Sequence, residues 1–201
     1  MLILPGFLGQ PLPVKGEVVS YHNPIPMKKW AEQFAIAGDT VLGYSLGGRL
    51  ALHLAAYHPR PWRRMIIVSA DPGLQEGHQA RLEADQCWAH RFRTEPWNQV
   101  MEAWNNQPVF AASQRLMREE HEREHWAEIL EMWSVAKQED FREKCAHWSF
   151  PILWMSSTDN PGLTFSHPVS HYVKIPDVGH RIPWDQPHLF QEQLDHFLRI
   201  T

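Results

Sequence analysis

A serine set between glycines at the end of an apolar run is the strongest chemical signal in the chain. Thr40-Val41-Leu42-Gly43-Tyr44-Ser45-Leu46-Gly47-Gly48-Arg49-Leu50-Ala51-Leu52 reads without interruption as a strand, a G-x-S-x-G turn and a helix. A turn this tight forces the serine into a strained backbone conformation, and only residues without side chains fit beside it at positions 43 and 47. Ser45 then projects from the strand end. The helix beginning at Leu46 aims its unpaired N–H groups and positive dipole end at the same point, where a developing anion is stabilised. The chemistry is that of an activated, nucleophilic hydroxyl.

Such a hydroxyl needs a base, and the base an orienting acid, in the chain order Ser, Asp or Glu, His. His180, in Val178-Gly179-His180 just after the last predicted strand, sits where a loop can carry it over the sheet edge to Ser45. Most other histidines fall on polar helical stretches or loops. Asp159 follows the apolar strand Ile152 to Ser156 and is the favoured acid; Asp71, which ends another strand, is its rival. Asp177 and Asp185 lie close to His180 in sequence and read as capping or solvating that loop. The second oxyanion donor is expected from the loop after the first strand. Pro5-Gly6-Phe7-Leu8-Gly9 supplies it, pairing the N–H of Phe7 with that of Leu46.

Short apolar runs alternating with helically spaced segments must position these groups, and they predict an α/β fold with a mainly parallel sheet flanked by helices. Strands are predicted at Leu2 to Leu4, Glu17 to Tyr21, Thr40 to Tyr44, Met65 to Ser69, Ile152 to Ser156 and Tyr172 to Ile175. Helices are predicted at Met27 to Ala37, Leu46 to Tyr57 and Pro187 to Leu198, the last with Leu189, Phe190, Leu194, Phe197 and Leu198 on one face. From about 79 to 148 no strand is evident and Trp, Arg, Glu and His are dense. This segment reads as a small helical cap inserted between two strands of a single domain spanning 1–201.

A length of 201 residues, 43% of them hydrophobic, excludes disorder and leaves little room for a second core. The formal charge of −4 gives no general attraction for nucleic acid or an anionic membrane. No run is long enough to span a bilayer, and Met-Leu-Ile-Leu-Pro-Gly has no basic flank of a signal peptide. Cys87 and Cys145 stand far apart with no near neighbour, so no zinc knuckle or disulfide framework is indicated and a reduced, cytoplasmic setting is expected. His121-Glu122-Arg123-Glu124-His125 satisfies H-E-x-x-H, but the stretch from Arg118 is almost continuously charged. A solvated helix face explains it better than zinc, and neither metal nor other cofactor is expected.

Taken together, the elbow, the Phe7 loop and the Asp159/His180 pair resemble the α/β-hydrolases. More narrowly, the chain resembles the menaquinone-pathway 2-succinyl-6-hydroxy-2,4-cyclohexadiene-1-carboxylate synthases. Gly43 to Arg49, Asp71-Pro72-Gly73-Leu74-Gln75, Arg81 through Asp85, Trp88, Arg91-Phe92, Thr94-Glu95-Pro96, and Trp104 followed by Gln107 to Ala111 carry that likeness. The resemblance implies a lyase: the serine, activated by His and Asp, removes a proton from the succinyl side of the substrate, and the electrons expel pyruvate. It implies an anionic small-molecule substrate held by Arg49 and Arg81, with Tyr44 and Trp104 lining the pocket. A third family arginine has no clear match in this sequence, and Arg118 and Arg123 are the candidates for it. Planar guanidinium forks suit carboxylates. No obligate protein partner is implied. Departures are visible: Pro5 replaces the family's histidine in its first-loop motif, Asp71 is unusual at its position, and only 44 residues precede Ser45, so the N-terminal part looks trimmed. The rival readings are a carboxylesterase or thioesterase acting through an acyl-enzyme on Ser45, and a silent binding protein that keeps the fold alone.

Overall fold

Alternation along four central strands decides the architecture. Leu2, Leu4, Val41, Met65, Ile67, Ile152 and Trp154 point into one apolar layer, while Ile3, Leu42, Ile66, Val68, Leu153 and Met155 point into another. A sheet whose strands are apolar on both faces must be covered on both, which is the parallel, helix-flanked arrangement. The computed structural model describes residues 1–35, 38–58 and 61–201. It contains a six-stranded parallel sheet formed by β1 (Leu2–Leu4), β2 (Glu17–Val18), β3 (Thr40–Tyr44), β4 (Arg64–Val68), β5 (Ile152–Ser156) and β6 (His171–Lys174), in the order β2-β1-β3-β4-β5-β6.

One face carries α1 (Met27–Gln33) and α2 (Leu46–Tyr57), whose Trp30, Ala31, Leu50, Ala51 and Leu54 join the first layer. The other carries α7 (Ile182–Asp185) and α8 (Pro187–Ile200), whose Ile182, Phe190, Leu194 and Phe197 fill the second. The elbow helix and the three strands β1, β3 and β5 fall where predicted. β2 stops at Val18, where its two residues are exposed at the sheet edge. β4 and β6 each lie one residue N-terminal of the predicted range at both ends. Helix α1 ends at Gln33 because Phe34 turns extended, short of the predicted limit at Ala37, which lies outside the described residues.

Between β4 and β5 the chain builds the predicted helical insertion: α3 (His78–Thr94), α4 (Trp97–Asn105), α5 (Arg123–Met132) and the short α6 (Arg142–Cys145), joined by 3-10 turns. Its interior is aromatic. Phe92 and Trp104 pack 5.4 Å apart, Trp104 meets Trp88 at 5.0 Å, and Phe92 meets Trp97 at 5.6 Å. The Trp133 indole donates to the Ile25 carbonyl at 2.6 Å, tying the insertion to the segment before α1. Cys87 is exposed, Cys145 is buried and both are free. Among the described residues no helix is long and apolar enough to cross a membrane.

Candidate active site

Ser45 stands alone between β3 and α2 with φ 52° and ψ −112°, a left-handed conformation costly for any residue with a side chain. The glycines are needed as the sequence predicts. A Cβ on Gly47 would lie 1.9 Å from the Leu4 carbonyl oxygen, and one on Gly43 would lie 2.3 Å from that of Gly47. The strained turn is held from below, where the Ser45 N–H donates to the Val68 carbonyl at 2.8 Å, and from the helix side, where the Arg49 N–H donates to the Ser45 carbonyl.

His180 lies on the loop between β6 and α7, and its Nε2 is 2.8 Å from Ser45 Oγ. Its ring is held between those of Tyr44 and Phe110, each with centroids 5.6 Å away. Removal from water, then the positive charges of Arg181, Arg49 and Arg81, push its pKa down to about 4. The imidazole is therefore neutral at neutral pH and free to accept the serine proton.

The first loop arrives on the opposite side. Phe7 opens a 3-10 turn, Phe7–Gly9, and the buried Tyr21 hydroxyl fixes the approach by donating to the Pro5 carbonyl at 2.6 Å. Among the described residues the backbone N–H groups of Phe7 and Leu46 have no backbone acceptor, the state expected of donors kept for an oxyanion. The cavity over Ser45, walled by Phe7, Tyr44, Phe110, Leu116 and Arg181, holds about 20 Å³, room for a group the size of water.

Asp159 does not join this arrangement. The loop after β5 turns outward, and the Asp159 carboxylate, 90% exposed, accepts from Lys174 Nζ at 2.6 Å. Among the described residues no carboxylate forms a hydrogen bond or ion pair with His180. The expected Asp159–His180 link is corrected accordingly: register pairs Ser156 with Lys174, so the lysine stands at the strand end where the aspartate emerges. Asp71, the rival, is exposed, and its backbone carbonyl accepts from the Gln138 side chain.

The expected arginines converge in part. Arg49, one helical turn after Ser45, donates to the Trp133 carbonyl at 2.7 Å. Burial, reinforced by the nearby charge of Arg81, lowers its pKa to about 10. Arg81 is held by Asp85, whose two oxygens accept from its Nε at 2.9 and 3.0 Å, and Ser134 donates to the same carboxylate at 2.7 Å. Arg123 is fully engaged, donating to the Phe92 and Glu95 carbonyls and to Glu120. Arg118 borders a separate cavity of about 370 Å³ beyond the first loop, with Tyr21 and Trp126, and its Nε is buried without a partner. Trp104 packs behind the pocket wall, 4.8 Å from the Phe7 ring and 6.0 Å from that of Phe110, and does not line the cavity itself. His121 of the H-E-x-x-H stretch pairs with Glu119 in the 3-10 turn before α5.

Residues missed from the sequence include Arg181, Asp85 as the holder of Arg81, and Tyr21. The Arg81/Asp85 pair has a readable signal, a one-turn helical spacing. Arg181 directly follows His180, and its burial comes from Phe110 and Gln114, which the local sequence does not reveal.

No family model matches the chain. It is 33% identical over 174 residues to the 2-succinyl-6-hydroxy-2,4-cyclohexadiene-1-carboxylate synthase of Salmonella paratyphi B, an alignment covering 80% of this chain and 68% of that protein. The chain belongs to this synthase family. The synthase of Enterobacter sp. strain 638 is 32% identical over 171 residues, with 80% and 66% covered. That of Klebsiella pneumoniae is 39% identical over 124 residues, with 57% and 49% covered. The chain thus spans about half to two thirds of these synthases. Among solved structures, MenH from S. aureus superposes with a TM-score of 0.75 at 19% identity, covering 98% of this chain and 92% of that one. A thermophilic esterase from Thermogutta terrifontis, solved with malate bound, gives 0.71 at 20%, covering 98% and 88%. The fold is that of the α/β-hydrolases.

Proposed function

We propose that the chain is a lyase that eliminates pyruvate from a polycarboxylate intermediate of menaquinone biosynthesis. The observation that carries this reading is the 2.8 Å contact between His180 Nε2 and Ser45 Oγ inside a field of three arginines. His180 takes the serine proton, and the Ser45 oxygen then removes a proton from the carbon beside the succinyl carbonyl. The electron pair moves through the ring and leaves with pyruvate, and the proton returns through His180. The N–H groups of Phe7 and Leu46 hold the enolate oxygen that forms, while Arg49 and Arg81 bind substrate carboxylates. Tyr44 and Phe110 hold the imidazole in place. Asp159 has no part in this conformation. The reading takes a small anionic substrate in the cytoplasm and requires no metal or other cofactor, nucleic acid, membrane or partner protein.

A carboxylesterase acting through an acyl-enzyme on Ser45 is the second reading. It is favoured by the narrow, aromatic cavity over the serine and by the likeness to the Thermogutta terrifontis esterase. A coupled assay for pyruvate release from the pathway intermediate, run beside p-nitrophenyl esters, separates the two. Pyruvate release that is abolished in Ser45→Ala supports the synthase; turnover of esters alone supports the esterase.

A further inference from the structure

The cavity over Ser45 contains a cation that the family resemblance does not assign. Arg181 is 3% exposed, yet its Nη2 is buried without a hydrogen-bond partner. The rest of the side chain is fixed. Nη1 donates to the Gln114 carbonyl, and the guanidinium carbon lies 4.3 Å over the Phe110 ring. The backbone N–H donates to Ser113 Oγ at 3.2 Å. Asp185, one turn further on, accepts from the Gln114 N–H through Oδ1 at 2.9 Å and keeps Oδ2 buried and unpartnered. Its charge acts on Arg181 against the effect of burial, but among the described residues no ion pair joins the two.

A buried guanidinium with a bare nitrogen is costly unless an anion completes it. Arg181 shares the walls of the cavity with Ser45 and His180, so an anion held by its guanidinium lies beside the serine. The stem is clamped by Phe110 and Gln114, so the fork is preorganised and little side-chain entropy is lost on binding. The geometry points to Arg181 as a specificity-determining residue whose guanidinium binds one carboxylate of the substrate beside the Ser45 hydroxyl. It discriminates carboxylate-bearing ligands from neutral ones of the same shape. The inference rests on the reading of Ser45 and His180 as the reacting pair, but it does not need the lyase reaction.

The test is protection of Ser45 from a fluorophosphonate probe by succinate and by its neutral analogue succinamide. In the wild type, succinate slows labelling at lower concentration than succinamide. In Arg181→Met the half-protecting concentration of succinate rises fivefold or more, while that of succinamide rises less. Arg181→Gln repeats the comparison if the methionine variant does not fold. A rise below fivefold, an equal rise for both compounds, or no protection of the wild type by succinate overturns the proposal. Absence of labelling in the wild type overturns the reading of Ser45. Labelling without pyruvate release counts against the lyase reading alone.

Discussion

The Lys174 ammonium donates to the Asp159 carboxylate across 2.6 Å, at the end of two adjacent parallel strands. The carboxylate is 90% exposed and is spent on a partner other than the imidazole. An orienting acid acts by fixing the tautomer and stabilising the imidazolium; here ring packing by Tyr44 and Phe110 does the orienting instead. Asp159→Asn is expected to keep kcat/KM within about tenfold of the wild type, against the roughly 10⁴-fold loss seen when a true triad aspartate is replaced. A loss of about 10³-fold or more, measured on pyruvate release, would mean that the loop turns inward when substrate binds.

Asp85 connects the insertion to the cation cluster. It is 3% exposed, accepts from Arg81 through both oxygens and from Ser134, and lies close enough to Arg49 to raise its pKa against the effect of burial. Replacing it leaves a half-buried arginine facing another without a counter-charge. Asp85→Asn is expected to cost about 1–2 kcal/mol, below the value for a fully buried pair because Arg81 is partly solvated. Arg81→Met in the same background should recover part of that loss. Urea denaturation of the two single variants and the double variant checks this, and strict additivity would refute the coupling.

The sequence exposes this fold where local sterics and alternation act alone. Gly43, Ser45 and Gly47 prescribe the elbow because no other residues fit there, and β3, β5 and α2 follow with their limits intact. The partner of Asp159 was not readable in the same way, since it depends on how β6 aligns with β5 and where Lys174 then stands. Arg181 was hidden for a related reason. An arginine beside a histidine ordinarily reads as solvated charge, and its burial depends on Phe110 and Gln114 arriving from a segment about 70 residues earlier.

Gly47 gives a sharper test of the elbow than the serine itself, because its role is purely steric. A methyl group there meets the Leu4 and Pro5 carbonyl oxygens, both backbone atoms that cannot rotate away. Gly47→Ala is expected to destabilise the protein by about 3 kcal/mol or more, as overpacking against fixed backbone does. Thermal denaturation checks it. Gly38, whose Cβ would meet nothing within 4 Å, is the control, and Gly38→Ala should leave Tm nearly unchanged.

Two histidines make stability and activity depend on pH over the same range. His180 and the buried His53, whose Nδ1 bonds to the Arg49 carbonyl at 2.8 Å, both have pKa values pushed down to about 4, chiefly by removal from water. In the unfolded chain each titrates near its ordinary value of about 6.5. Between these limits the unfolded chain binds more protons than the folded one, so stability rises with pH across this window and is lost as pH falls from about 6.5 to about 4. The slope is at most about 1.4 kcal/mol per pH unit for each histidine. His53→Gln should reduce the slope by about half. Activity follows only His180: kcat/KM is expected to stay flat down to about pH 5 and to fall near pH 4, with circular dichroism at each pH separating loss of activity from loss of fold. A kinetic pKa near 6.5 would show that His180 is solvated and that the three arginines do not act on it.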